Sequence, residues 1–183
     1  MEPRGDHRLD PQGHPPEQAL TPAAVLVPLV AHPEGMTVLL TQRTDHLADH
    51  AGQIAFPGGR IEPTDADPVA AALRESEEEV GLPASHVEII GRLPTWITIT
   101  GFEITPIVGI VRSPYPSHPD PYEVAEIFEV PLDFIADPAN HQRHSREWKG
   151  RQRSFFVLPY QDRYIWGATA GILVNLAEVL AGA

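Results

Sequence analysis

The stretch from residue 58 to 82 constrains this chain more than any other. A Gly58-Gly59 pair leads into residues 61–80, which hold seven of the 25 acidic residues. Asp67-Pro68 pairs a good N-cap with a proline tolerated at the first helical position. Gly81 is a natural stop, so a helix is expected from Asp67-Pro68 to Gly81. Successive helical residues turn by about 100°. With Glu75 as origin, Glu79 lies about 40° to one side, Glu78 about 60° to the other, and Glu77 points nearly opposite. Val69, Ala72, Leu73 and Val80 gather on another face, one that can pack on a sheet. Carboxylates sharing a stripe repel by roughly a few tenths of a kcal/mol per pair. Oxygen-rich clusters of this kind suit magnesium, manganese or calcium. The alternative is a solvated acidic face, the usual outcome of a charge run. Arg74 beside the cluster and the Gly58-Gly59 turn, which lets backbone approach a ligand, weigh toward a site.

The remaining composition narrows the class. A chain of 183 residues suits one domain, or one domain with a tail. It has no cysteine, which excludes disulfides, thiolate metal sites and a cysteine nucleophile. With 13 Lys and Arg against 25 Asp and Glu, its net charge is -12. Such a chain is poorly suited to a nucleic-acid backbone. It suits a protein that binds cations, or reaches phosphates through them. Residues 1–20 carry four prolines, two glycines and six charges with no apolar run. They read as a disordered or loosely docked tail and not as a signal peptide. Residues 21–183 form the expected single domain. Residues 164–183 are apolar, yet Asn175 and Glu178 interrupt them. Ile172, Leu173, Leu176, Val179 and Leu180 follow helical spacing, so a packed helix is expected and no membrane span. The Gly167/Gly171 pair then reads as a close-packing device. A cytoplasmic protein is the expectation.

Residues 24–31 and 36–43 are β-like and joined by the turn Pro33-Glu34-Gly35. Residues 44–60 read as loop. Further strands are expected at 87–93, 97–100, 102–111, 128–132 and 155–158, with a proline-rich loop at 113–121 and a last helix over about 166–180. The class is α+β.

Residues 59–82 resemble the Nudix box: a glycine, a spacer with an acid, then R-E-x-x-E-E-x-G-apolar. The second half reads Arg74-Glu75-Ser76-Glu77-Glu78-Glu79-Val80-Gly81-Leu82 and matches at each fixed polar and glycine position. Ser76 stands where an apolar residue is usual. The first half is one residue longer than the general box, which puts Ala66 where a Glu is expected, with Asp65 beside it. Leu39-Leu40-Thr41-Gln42-Arg43 and Gly52-Gln53-Ile54-Ala55-Phe56-Pro57-Gly58-Gly59 resemble the signature of coenzyme A pyrophosphatases, as do His50-Ala51-Gly52-Gln53 and Asp65. Thr44 stands where Ser or Ala is usual, and Ala48 where Arg is usual. The resemblance runs from about residue 24 to the C-terminus and includes Glu123-Val124-Ala125-Glu126 and Trp166-Gly167-Ala168-Thr169.

That resemblance implies a Nudix-like mixed β-sheet sandwiched between helices, with the box as a loop–helix–loop metal site. It implies hydrolysis of a small-molecule nucleoside diphosphate derivative with Mg2+ or Mn2+. For the subfamily, coenzyme A is cut into 3′,5′-ADP and 4′-phosphopantetheine. By position in the box, Glu75, Glu78 and Glu79 are metal ligands and the Gly59 carbonyl a further one. Arg74 is expected to hold a carboxylate by a bidentate pair. Relatives place the base on a later loop, where Glu123 and Glu126 are candidates and Glu126 is preferred. Arg43 meets a substrate phosphate, or is a plain strand-end charge. His50 and Gly58 complete the substrate-binding set by signature position. His46/His50 and His141/His144 have spacings that bind metal on a helix, but neither segment reads as one. Trp96 and Phe102 stack on a base or belong to the core. Members often pair as homodimers. Another nucleoside diphosphate substrate (ADP-ribose, a dinucleotide or a nucleotide sugar) stays open because of Ala48. A non-catalytic nucleotide-binding module is the alternative of another class, which the intact glutamates argue against.

Overall fold

The computed structural model describes residues 2–10, 19–46, 51–148 and 150–182. The strands and helices, in chain order, are β1 (Arg4–Gly5), β2 (Thr21–His32), β3 (Gly35–Arg43), β4 (Ile54–Ala55), β5 (Gly58–Arg60), α1 (Pro68–Val80), β6 (Val87–Arg92), β7 (Trp96–Ile97), β8 (Phe102–Arg112), β9 (Val124–Pro131), α2 (Leu132–Ala136), β10 (Gln142–Trp148), β11 (Arg151–Tyr160), β12 (Arg163–Trp166) and α3 (Gly167–Leu180).

A mixed sheet runs β1-β7-β8-β2-β3-β4, with β5 also on β2, β6 on β8 and β9 on β3. Its spine is β2, parallel to β8 from Thr21↔Phe102 to Ala31↔Arg112 and antiparallel to β3. The apolar run of β2 serves both faces, because side chains alternate along a strand. Ala24, Leu26 and Val30 pack with Ala71, Ala72, Val80 and Leu82 of α1 and the turn after it. Val27 and Leu29 face the opposite way, onto Ile172, Leu173 and Leu176 of α3 and Leu158 and Ile165 of the smaller β10-β11-β12 sheet. The expected sandwich of sheet between helices is present.

α1 begins as expected. Asp67 accepts from the Ala70 N–H at 2.8 Å and Pro68 is the first helical residue. Gly81 closes it at φ 68, a left-handed conformation in which its N–H reaches the Glu77 carbonyl and that of Leu82 the Ser76 carbonyl. Ser76 is buried, yet its hydroxyl donates to the Ala72 carbonyl at 2.7 Å, so the polar residue at a usually apolar box position is satisfied.

The structure departs from expectation in several places. Residues 44–60 contain β4 and β5. The glycines let β5 lie against β2 at Ala24 and Val25, where a Cβ on Gly58 would stand 2.5 Å from the Ala24 carbonyl oxygen. Residues 98–101 form a turn after only two strand residues. β9 starts at Val124, so Glu126 is a strand residue opposite Gln42. β10 pairs with β11 although its Gln-Arg-His-Ser-Arg-Glu-Trp sequence lacks apolar alternation. Residues 4–10, within the tail expected to be disordered or loosely docked, are docked on the domain. β1 pairs with β7, Arg4 pairs with Glu178, and Asp6 accepts from the Trp96 indole N–H at 3.1 Å and the Ile99 N–H at 3.0 Å.

Gly171 is the close-packing device expected of the G-x-x-x-G pair: a Cβ there would meet Trp96 ring carbons at 2.3 Å. Trp96 is 3 % exposed and belongs to the core. Gly171→Ala is expected to cost about 1–3 kcal/mol in urea unfolding, the usual penalty of overpacking. An unchanged midpoint would show that Trp96 can move aside.

Candidate active site

α1 presents its acids to the turn that β5 makes. Glu79 is 6 % exposed and one of its oxygens accepts the Gly58 N–H at 3.2 Å. The Glu75 carboxyl lies so close to Gly59 that a Cβ there would be 2.6 Å from its Cδ. Only glycine fits between strand and acid at this point. Burial, then the neighbouring Glu75 charge, pushes Glu79 up to about 7. Burial likewise raises Glu75, against the pull of Arg74 and with the push of Glu78 and Glu123.

Arg74 forms the expected bidentate pair, and its partner is Asp65. Nε and one terminal nitrogen each donate to a different Asp65 oxygen at 2.9 Å. The other terminal nitrogen donates to Glu75 at 2.8 Å and to Glu78 at 3.2 Å. Arg74 holds Asp65 below the ordinary carboxylate range. Asp65 therefore does what Ala66 cannot, and the longer first half of the box is accommodated by a one-residue displacement of the acid. Arg74 sits between two box glutamates and steers both.

The loop after β8 brings a fourth acid. The Val80 and Glu79 carbonyls at the end of α1 accept from the His118 and Asp120 N–H groups at 2.8 and 2.9 Å. Thr44 N–H donates to the Glu123 carbonyl at 3.0 Å, and the Thr44 hydroxyl to the Tyr122 carbonyl at 2.7 Å. The hydroxyl at this signature position thus ties down the loop. Glu123 stands close enough to raise both Glu75 and Glu79. Glu126 is turned elsewhere: both its oxygens accept from Arg163, at 2.8 and 3.0 Å. On this geometry Glu126, the preferred candidate, is not brought to the acids of α1, because its place opposite Gln42 and its Arg163 pair engage it elsewhere.

Arg43 reaches Glu79 at 3.9 Å, and its buried Nε has no hydrogen-bond partner. It lines a cavity of about 800 Å³ together with Gly58, Gly59, Phe102 and Trp166. A volume in this range suits a nucleotide-sized ligand. Phe102 is thus at the cavity, under the Arg60 guanidinium at 5.7 Å, whereas Trp96 is not. His50 and Ala48 lie outside the described residues. His141 and His144 bind no common partner: His141 contacts the Ile135 carbonyl and His144 contacts Gln142 and Tyr164. Sequence reading missed Asp6, Asp10, Arg146 and Arg153, which also line the cavity. They come from segments with no motif and far from the box in the chain, so no local signal marks them.

Among the described residues, no three His, Asp or Glu side chains, Glu75, Glu78 and Glu79 included, are grouped so that they hold a metal ion by themselves. The donor set still fits a hard divalent ion. Glu75 and Glu79 are oxygen donors held together, each costly to ionise without added positive charge.

A family model for the NUDIX domain matches residues 20–149. The chain belongs to the Nudix hydrolase family. It is 44% identical over 155 residues to the uncharacterized Nudix hydrolase NudL of Escherichia coli strain K12, covering 85% of this chain and 80% of that protein. The corresponding protein of Pectobacterium atrosepticum is 42% identical over the same length, with the same coverage. Among solved structures, the Nudix hydrolase RenU from M. smegmatis superposes with a TM-score of 0.62 at 23% identity, covering 90% of this chain and 88% of that one. A C. elegans Ap4A hydrolase binary complex gives 0.57 at 17% identity, covering 90% and 100%. These two show a shared fold. Family membership makes the chain a Nudix pyrophosphohydrolase and Nudix enzymes use divalent metal ions. No helix among the described residues is long and apolar enough to cross a membrane.

Proposed function

We propose that this Nudix enzyme cleaves the diphosphate of coenzyme A or its derivatives to 3′,5′-ADP and 4′-phosphopantetheine, with Mg2+ or Mn2+, in the cytoplasm. The observation that carries the reading is the course of the signature segment. Residues 53–56 and Gly58-Gly59 run along one wall of the 800 Å³ cavity, ending where Glu75 and Glu79 begin. Glu75, Glu78, Glu79 and the Gly59 carbonyl would hold the cation. When bound, it neutralises phosphoryl oxygens and lowers the pKa of water. Arg43, with an unused buried Nε, offers fork-shaped donors to the diphosphate beside Glu79. Arg74 keeps Glu75 and Glu78 oriented. Glu123 takes the proton from the attacking water. The oxygen of that water bonds to one phosphorus as the bond from that phosphorus to the bridging oxygen breaks, leaving the bridging oxygen on the other phosphate.

Ala48, at a signature position where Arg is usual, favours one second reading: the same chemistry on ADP-ribose, a dinucleotide or a nucleotide sugar. Chromatography of products decides between them. The purified protein is incubated with coenzyme A, ADP-ribose or diadenosine polyphosphates, each with magnesium, manganese or EDTA. Release of 3′,5′-ADP from coenzyme A, lost with EDTA, is the expected result. Cleavage of another substrate alone retires the coenzyme A reading and keeps the chemistry.

A further inference from the structure

The cavity carries a second cationic group that the box chemistry does not use. Arg146 on β10 and Arg153 on β11 stand directly opposite one another in the antiparallel register. Like charges in that relation destabilise a sheet. Both line the cavity, as do Arg43 and Arg60, so four of the 13 Lys and Arg residues of a chain with net charge -12 converge on it. Arg43 belongs to the large sheet beside Glu79, whereas Arg146 and Arg153 belong to the smaller sheet and form another part of the wall.

The two are held in different ways. Arg153 donates to one oxygen of Asp10 at 3.1 Å, and the other oxygen takes the Ser154 N–H at 2.8 Å. Its Nε is buried without a hydrogen-bond partner. Arg146 has no ion pair among the described residues. Its guanidinium stacks over Trp166 at 4.7 Å and Phe155 at 5.8 Å, rings that pack edge to face at 5.5 Å. Stacking fixes the plane of a guanidinium and leaves its N–H edge free for an anion. Asp10 is tied to Arg153, and Asp6, also at the cavity, gives its oxygens to Trp96 and Ile99, so Arg146 is left without an acid partner among the described residues, and two planar donors placed side by side suit a doubly charged tetrahedral group.

We infer that Arg146 and Arg153 form a subsite for a phosphate monoester carried by the substrate apart from its diphosphate. The ligand class is a nucleoside diphosphate derivative with an additional ribose phosphate. The location rests on the reading of this cavity as the substrate site; the subsite itself is independent of which diphosphate is cut. Asp10 acts as a positioning residue that aims Arg153.

The test is titration calorimetry of the full-length protein with 3′,5′-ADP, 2′,5′-ADP and 5′-AMP, at fixed magnesium. At least one bisphosphate is expected to bind about tenfold or more tightly than AMP, the worth of a charge-assisted contact. Arg146→Ala should reduce that ratio to near one, and Arg146→Lys should restore part of it. A structural role for Arg146 would weaken all three ligands alike and leave the ratio unchanged. Equal affinities in the parent protein, or a ratio that survives Arg146→Ala in a protein with the parent thermal midpoint, overturn the subsite. Preference for 2′,5′-ADP places the monoester on the other ribose hydroxyl and supports the subsite. If a bisphosphate preference is found but coenzyme A is not cleaved, the coenzyme A reading fails and the subsite stands.

Discussion

Glu79→Gln is expected to lower kcat by about a hundred- to a thousandfold while making the metal-free protein more stable above pH 7. The loss follows from its place among the cation-holding acids, where electrostatic groups at a reacting centre are worth on the order of 10²–10³ each. The gain follows from burial. Glu79 is 6 % exposed and its folded pKa is raised to about 7. In the unfolded chain a glutamate ionises near its ordinary value of about 4.3. Below both values the group is protonated in either state and pH has no effect. As pH rises through the window between them, the unfolded chain loses its proton and the folded one keeps it, so folding stability falls. Above about pH 7 the folded protein carries the full cost of the buried charge, on the order of 3 kcal/mol. Glutamine still offers the Gly58 N–H an acceptor and has no charge to bury. Urea unfolding in EDTA at pH 5 and pH 8 measures this. The parent protein should lose stability between the two and Glu79→Gln should lose less. Added magnesium should narrow the difference at pH 8 by stabilising the parent. A variant less stable than the parent at pH 8 in EDTA would mean that Glu79 is held ionised by groups other than a cation.

Glu123→Gln is expected to lower kcat by about 10²–10⁴, the usual worth of a general base. Glu126→Gln should stay within a few-fold of the parent. The contrast rests on where the two side chains stand: Glu123 raises Glu75 and Glu79, while Glu126 gives both oxygens to Arg163. A steady-state assay on the best substrate found by product analysis, run from pH 6 to 10, tests it. A fall of that size in kcat in Glu123→Gln alone is the supporting result. A large fall in Glu126→Gln with Glu123→Gln near normal would return the base to Glu126.

α1 was legible because its signals are local. A cap, a proline, a helical acidic stripe and a terminal glycine all act within one or two turns, so spacing alone places them. The strands β2, β3 and β8 were legible for a related reason: long apolar runs have few other ways to be buried. β10 was not legible. Its polar residues pair with β11 through backbone hydrogen bonds, and backbone pairing leaves no trace in side-chain pattern. β5 was hidden because glycines read as turn, whereas here they let a strand lie against β2 and an acid lie against the strand.

The sequence by itself determined the chemistry on offer: which acids share a helical face, that Arg74 stands among them, and that a Nudix box frames them. Only the tertiary structure decided the partners. It selected Asp65 for Arg74, took Glu126 out of the site, brought Glu123 in on carbonyl bonds at the end of α1, and drew Asp10, Arg146 and Arg153 to the same cavity. The physical reason is range. Helical periodicity is a property of neighbours, while a cavity wall is set by how sheets and loops stack, which residues distant in the chain settle together.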